Sequence, residues 1–140
     1  MNIAIINGPN LNNLGKRDNS IYGSKSLYEI EKLIQENFSD SSVSLSFYQS
    51  NAEGEIIDHI QNITENTDAI IINPGGLTHY SISLRDCLSD FNGRIIEVHL
   101  SNIHARESFR RESLIAEVCE GHISGLGWYG YISAINYLLS

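Results

Sequence analysis

Three largely apolar runs, "IAII" at 3–6, "AIIIN" at 69–73 and "RIIEVHL" at 94–100, constrain this chain more than any other feature. The first two stop at "NGPN" and "NPGG", and such short runs between turn-formers describe strands covered on both faces. Helical spacing fills the intervals. Ser26 and Glu29 have capping-box spacing ahead of Leu27, Ile30, Leu33, Ile34 and Phe38, and Ile56, Ile57, Ile60 and Ile63 mark a second apolar face within 53–66. Ile82, Leu84, Cys87, Leu88 and Phe91 mark a third, and Trp128, Tyr131, Ile132, Ile135, Leu138 and Leu139 a closing amphipathic helix. "VSLSFYQ" at 43–49 alternates like a strand, "GHISGLG" at 121–127 adds a short fifth, and 105–120 reads as a short helix plus a turn.

Strand and helix alternate throughout, which dictates a parallel sheet with helices on both faces and right-handed crossovers. Five strands specify an α/β, flavodoxin-like three-layer sandwich, and 140 residues with 41% hydrophobic side chains suffice for one domain spanning 1–140. In such folds ligands bind beyond the carboxyl ends of the strands, near the switch in strand order.

Charge and composition remove several function classes. A net charge of -8 and a pI near 4.9 oppose binding to phosphate backbones or anionic membranes. No apolar stretch reaches the ~20 residues needed to span a bilayer, and "MNIAIINGPN" lacks the basic start and long apolar centre of a signal peptide, so a cytoplasmic location is expected. Cys87 and Cys119 fall in helix-like segments without metal-ligand spacing and read as buried free thiols.

The polar residues just past the strands gather at the expected edge. They include Asn10, Arg17 and Tyr22 after the first strand, Asn73, Thr78 and His79 after the third, and His99, Ser101, Asn102, His104, Arg106 and Arg110 after the fourth. Lys16, Arg17, Arg106, Arg110 and Arg111 make five of the nine cations, which points to a local positive pocket for a small anion, although for any single arginine solvation in a loop is an equal explanation. "NPGGLTHYSISLRD" supplies a turn and a helix starting near Thr78 or His79, whose free amides suit a carboxylate. His99, at a strand end, titrates in the useful range for acid–base work, whereas His104 serves a loop hydrogen bond. Glu53, Asp86, Glu97 and Glu107 stand near the edge, each equally able to orient a histidine or arginine. No GxSxG, GxGxxG or phosphate-loop pattern occurs, and the two histidines have no convincing partner for a metal.

"NGPNLNNLGKRDNSIYG", "YQSNAEGEIIDHI", "INPGGLTHYSISLRD" and "EVHLSNIHARESFRR", followed by "GLGWYGY", resemble in that order the type II 3-dehydroquinate dehydratases, over nearly the whole chain. The resemblance implies trans dehydration of 3-dehydroquinate to 3-dehydroshikimate through an enol or enolate, in the shikimate or quinate pathway. It implies Tyr22 as the base at C2, Arg17 as its activating cation, Asn10 in the same loop, His99 as the acid for the C1 hydroxyl, and Asn73 as holder of a water at the enolate. Implied substrate contacts are Asn73, His79, Asp86, the backbone of Leu100 and Ser101, and Arg110, with Arg106 setting the tyrosine environment. It further implies no metal or organic cofactor, no nucleic-acid partner, and a homododecamer of four trimers. Gly76, Leu77 and Ala52 depart from the residues common in that family.

The chemistry agrees with these roles. An ordinary tyrosine, with a pKa of about 10, is only about 0.1% ionised at pH 7, and a cation beside it favours the ionised form. The long first loop then has a reason to exist: it carries the base, its cation and a lid. A non-catalytic anion-binding domain of the same architecture would keep the arginines without needing Tyr22 and His99 together. Flavin-dependent electron transfer fits the Pro-Asn-Leu run of the first loop poorly.

Overall fold

The computed structural model describes residues 1–140. Its strands are β1 (Asn2–Asn7), β2 (Ser44–Gln49), β3 (Ala69–Asn73), β4 (Arg94–His99) and β5 (Gly121–Ser124). All pair in parallel, in the order β2-β1-β3-β4-β5, so the order reverses between β1 and β3. This is the flavodoxin-like sheet expected. Its helices are α1 (Asn19–Tyr22), α2 (Leu27–Asn37), α3 (Glu53–Ile63), α4 (Ile82–Ser89) and α5 (Tyr129–Leu139).

Strand periodicity of two divides the core into two layers. Ile3, Ile5, Ala69, Ile71, Ile96 and Val98 pack with Ile30 and Ile34 of α2 and Ala134, Ile135 and Leu138 of α5. Their neighbours Ala4, Ile6, Ile70, Ile72 and Ile95 pack with Ile56 and Ile60 of α3 and Leu84 and Leu88 of α4. The same alternation assigns the polar strand ends: Asn7 and Asn73 continue the α2/α5 face, whereas Glu97 and His99 continue the α3/α4 face.

Ser26 caps α2 as its spacing requires, accepting from the Glu29 amide. Two sequence expectations are corrected. The third helix starts at Ile82 rather than at Thr78 or His79, because Gly75–His79 forms a 3-10 turn and Ser81, expected inside the helix, is its N-cap. The Ser81 hydroxyl accepts from the Leu84 amide and donates to Glu53, which fixes the start. The segment 105–120 holds only 3-10 turns, Ser108–Arg111 and Ala116–Val118, so Cys119 follows a turn instead of lying in a helix. It has one fully buried apolar anchor, Ile115, and is tied down by polar contacts, including the Leu114 amide donating to the Thr78 carbonyl. Too little apolar face is present to support a helix there.

The loops after β1 and β3 touch each other closely. A Cβ on Gly8 would stand 2.4 Å from the Pro74 oxygen and 2.7 Å from its carbonyl carbon, both backbone atoms. Gly8→Ala is expected to lower stability by about 1–3 kcal/mol, read as a drop in Tm. Gly54→Ala, where a Cβ meets nothing within 4 Å inside α3, is the control and is expected to stabilise slightly.

Candidate active site

A cavity of about 140 Å³ opens beyond the carboxyl ends of β1, β3 and β4. Asn10, Arg17, Tyr22, Asn73, His79, His99, Leu100, Ser101, Arg106 and Arg110 all line it, so ten of the sequence-selected residues come together. Asp86 does not. It is exposed on α4, one helical turn beyond the exposed Ile82, and no part of it reaches this cavity within one chain.

The first loop is fastened at several points. Leu11 and Leu14 are buried in the α2/α5 layer, and Asn10 adopts a left-handed conformation (φ 73°), which asparagine tolerates better than most residues. From the end of β2, Gln49 donates to the Gly8 carbonyl, and Asn51 Oδ1 accepts from the Asn10 amide at 2.9 Å. Asp18 caps α1 by accepting from the Ser20 amide, which sets Tyr22 on a defined turn. Arg17 Nη2 then donates to Tyr22 Oη at 2.9 Å, with the guanidinium 3.9 Å from the ring centroid. Arg106 lies 5.1 Å from the same centroid and donates to Ser101 Oγ, while its buried Nε has no partner. Two cations thus flank one phenol.

On the opposite wall, His99 is 5% exposed and its Nε2 lies 2.6 Å from Glu97 Oε2. A carboxylate only accepts, so Nε2 carries the hydrogen and the other ring nitrogen is left for a ligand. Glu97 is fully buried. Burial pushes its carboxyl up, but hydrogen bonds from His122 and His99, the His99 charge and the Ser113 hydroxyl outweigh it and hold the group at about 2. Glu97 is therefore an anion throughout the physiological range. Sequence reading gave it a supporting role without selecting it; its position two residues before His99, on the same strand face, was the available signal.

Ligand atoms of Glu97, His99 and His122 lie within 4.8 Å of one another. Around one metal at bonds of about 2.0–2.1 Å, tetrahedral ligand atoms sit about 3.3 Å apart. The 2.6 Å separation of His99 Nε2 from Glu97 Oε2 is that of a hydrogen bond, and the group reads as a hydrogen-bonded cluster.

His79 Nδ1 donates to the Glu112 carbonyl at 2.7 Å, so in the neutral ring Nε2 is the acceptor. Asn73 Oδ1 accepts from the Gly75 amide, and Asn73 Nδ2 donates toward Tyr131 Oη at 3.4 Å. Tyr131, absent from the sequence selection, is wholly buried and donates to Asn7 Oδ1, bracing the polar ends of β1 and β3. Burial raises its phenol far above the ordinary range. It is a structural tyrosine.

The family model described as dehydroquinase class II matches residues 1–139. A 3-dehydroquinate dehydratase of Roseiflexus castenholzii is 52% identical over 139 residues, covering 99% of this chain and 88% of that protein. One from Thermotoga petrophila is 49% identical, with coverage of 99% and 94%. The crystal structure of type II dehydroquinase from Butyrivibrio crossotus superposes with a TM-score of 0.97 at 47% identity, covering 100% of this chain and 98% of that one.

Proposed function

This chain belongs to the class II dehydroquinase family, lyases that dehydrate 3-dehydroquinate to 3-dehydroshikimate, and we propose that it does so with Tyr22 as base and His99 as acid. The observation carrying this reading is the Arg17–Tyr22 contact facing a buried His99–Glu97 pair across one cavity. The phenolate takes the C2 proton and the C2–H electrons move toward the ketone, forming an enolate. Polar groups of the cavity, Asn73 among them, stabilise its oxygen. The enolate electrons then return, the C1–O bond breaks, and the His99 proton completes water. The product is a conjugated enone. Arg106, Arg110, His79 and the Leu100–Ser101 backbone hold the substrate's carboxylate and hydroxyls.

Mixing the purified protein with 3-dehydroquinate, without added metal, is expected to produce the ultraviolet absorbance of the enone; its absence defeats the reading. Arg17→Ala is expected to move the acidic limb of the kcat/KM profile to higher pH, since the base loses the cation that favours its charged form. An unmoved limb removes Arg17 from that role.

The proposal includes assembly into a dodecamer of four trimers. Tyr80 and Ile82 are 67% and 65% exposed, and Asp86 shares the outer face of α4 with Ile82. Contact between copies on this face would cover the apolar pair and offer Asp86 to a neighbouring cavity. Free thiols at Cys87 and Cys119 suit the reducing cytoplasm, where we place the enzyme. No helix is long and apolar enough to cross a membrane.

A further inference from the structure

We propose that His122 is a positioning residue for the acid, competing with His99 for one oxygen of Glu97 and thereby setting how firmly the carboxylate retains the His99 proton. The inference rests on His99 being the acid. In the sheet, Glu97 of β4 is in register with His122 of β5, so their side chains rise from the same face. His122 Nε2 stands 3.1 Å from Glu97 Oε2, the oxygen that also meets His99 Nε2 at 2.6 Å. The two imidazole centroids are 5.4 Å apart. His122 differs from its neighbours in access: its side chain is 27% exposed, against 6% for His99 and 0% for Glu97. It is the solvent-facing end of a chain of three groups running from the cavity to the surface.

Charge supplies the consequence. When His122 is protonated, it partly neutralises Glu97, and the carboxylate grips the His99 imidazolium less tightly. The acid then releases its proton more readily toward the cavity. Glu97 raises the proton affinity of His122 and burial only partly opposes it, so the cationic form extends toward neutral pH. The other titratable groups around this imidazole are His99 and His104, its ring centroid 6.4 Å away, while the half-buried Cys119 thiol feels the same Glu97 charge. Glu120, two residues back, is committed to Arg94.

The test uses the full-length protein carrying His122→Val or His122→Lys, with the His99 ring titrated by NMR and kcat/KM followed against pH. His122→Val should raise the His99 titration midpoint by about 1 unit, move the alkaline limb of the profile upward with it, and leave KM within about twofold. His122→Lys, which keeps a cation beside Glu97, should return the midpoint toward the wild-type value. An unmoved midpoint in folded His122→Val, or equal shifts in both variants, overturns the inference. The ring titration is read without turnover, so it reports on the coupling even for a protein that fails to dehydrate 3-dehydroquinate. That failure would count against the proposed function instead.

Discussion

Tyr22→Phe is expected to reduce kcat by roughly 10²–10⁴-fold, the range spanned by loss of a positioned acid or base, while KM changes only severalfold. The substitution removes one oxygen. That oxygen's hydrogen-bond partner is Arg17, and the ring keeps its packing against the α2/α5 layer, so the loop has no reason to reorganise. Arg17 loses an acceptor but remains at the cavity edge, within reach of solvent or an anionic ligand. Stability should therefore stay within about 1 kcal/mol of wild type, which separates a chemical defect from a folding one. The measurement is steady-state enone formation together with the affinity of a competitive ligand. Turnover within tenfold of wild type in Tyr22→Phe would assign the base to another group. A parallel collapse of ligand affinity would make Tyr22 a binding residue.

The sheet was legible because its strands are buried on both faces and end in turn-formers: "IAII" and "AIIIN" leave little freedom of register or layer. The site was legible for a related reason, since polar side chains just past such strands have only one edge to occupy. Periodicity failed where structure is held by polar contacts. The start of α4 is set by Ser81 between Leu84 and Glu53, and the 3-10 segment after β4 by the Ile115 amide donating to Ser113 Oγ and the Leu114 amide donating to the Thr78 carbonyl, none of which has a repeating signature. His122 was obscured differently. Its meeting with Glu97 follows from the parallel register of β4 with β5, a long-range fact that no local spacing reveals. Asp86 marks a third kind of limit, because the resemblance implied a substrate contact, whereas the fold places this side chain on an exposed helix face away from the cavity of its own chain.

Glu97→Gln is expected to lower kcat by roughly 10²-fold and to change the acid stability of the protein, two effects with one origin. The glutamine amide is nearly isosteric but neutral. It can accept from one imidazole, but it gives the buried His99 ring no counter-charge for the imidazolium that the proposed acid role requires. In the wild type, burial alone would raise the Glu97 carboxyl, yet its partners hold it at about 2 against an ordinary 4.5. A depressed carboxylate contributes stability above its unfolded value, here on the order of 3 kcal/mol, and that contribution drains away as pH falls from about 4.5 toward 2. His122 reports the same interaction from the other end. Its affinity for the proton is raised, so its contribution is complete below its ordinary value of about 6.5 and is lost as pH rises through the higher folded value. Urea unfolding should therefore show Glu97→Gln well below wild type between pH 5 and 6, with the two curves converging only as pH approaches about 2. A variant that loses this stability while keeping wild-type kcat would leave Glu97 as a structural anion and remove it from the chemistry; one that loses kcat with the acid-stability difference intact ties both to the same buried charge.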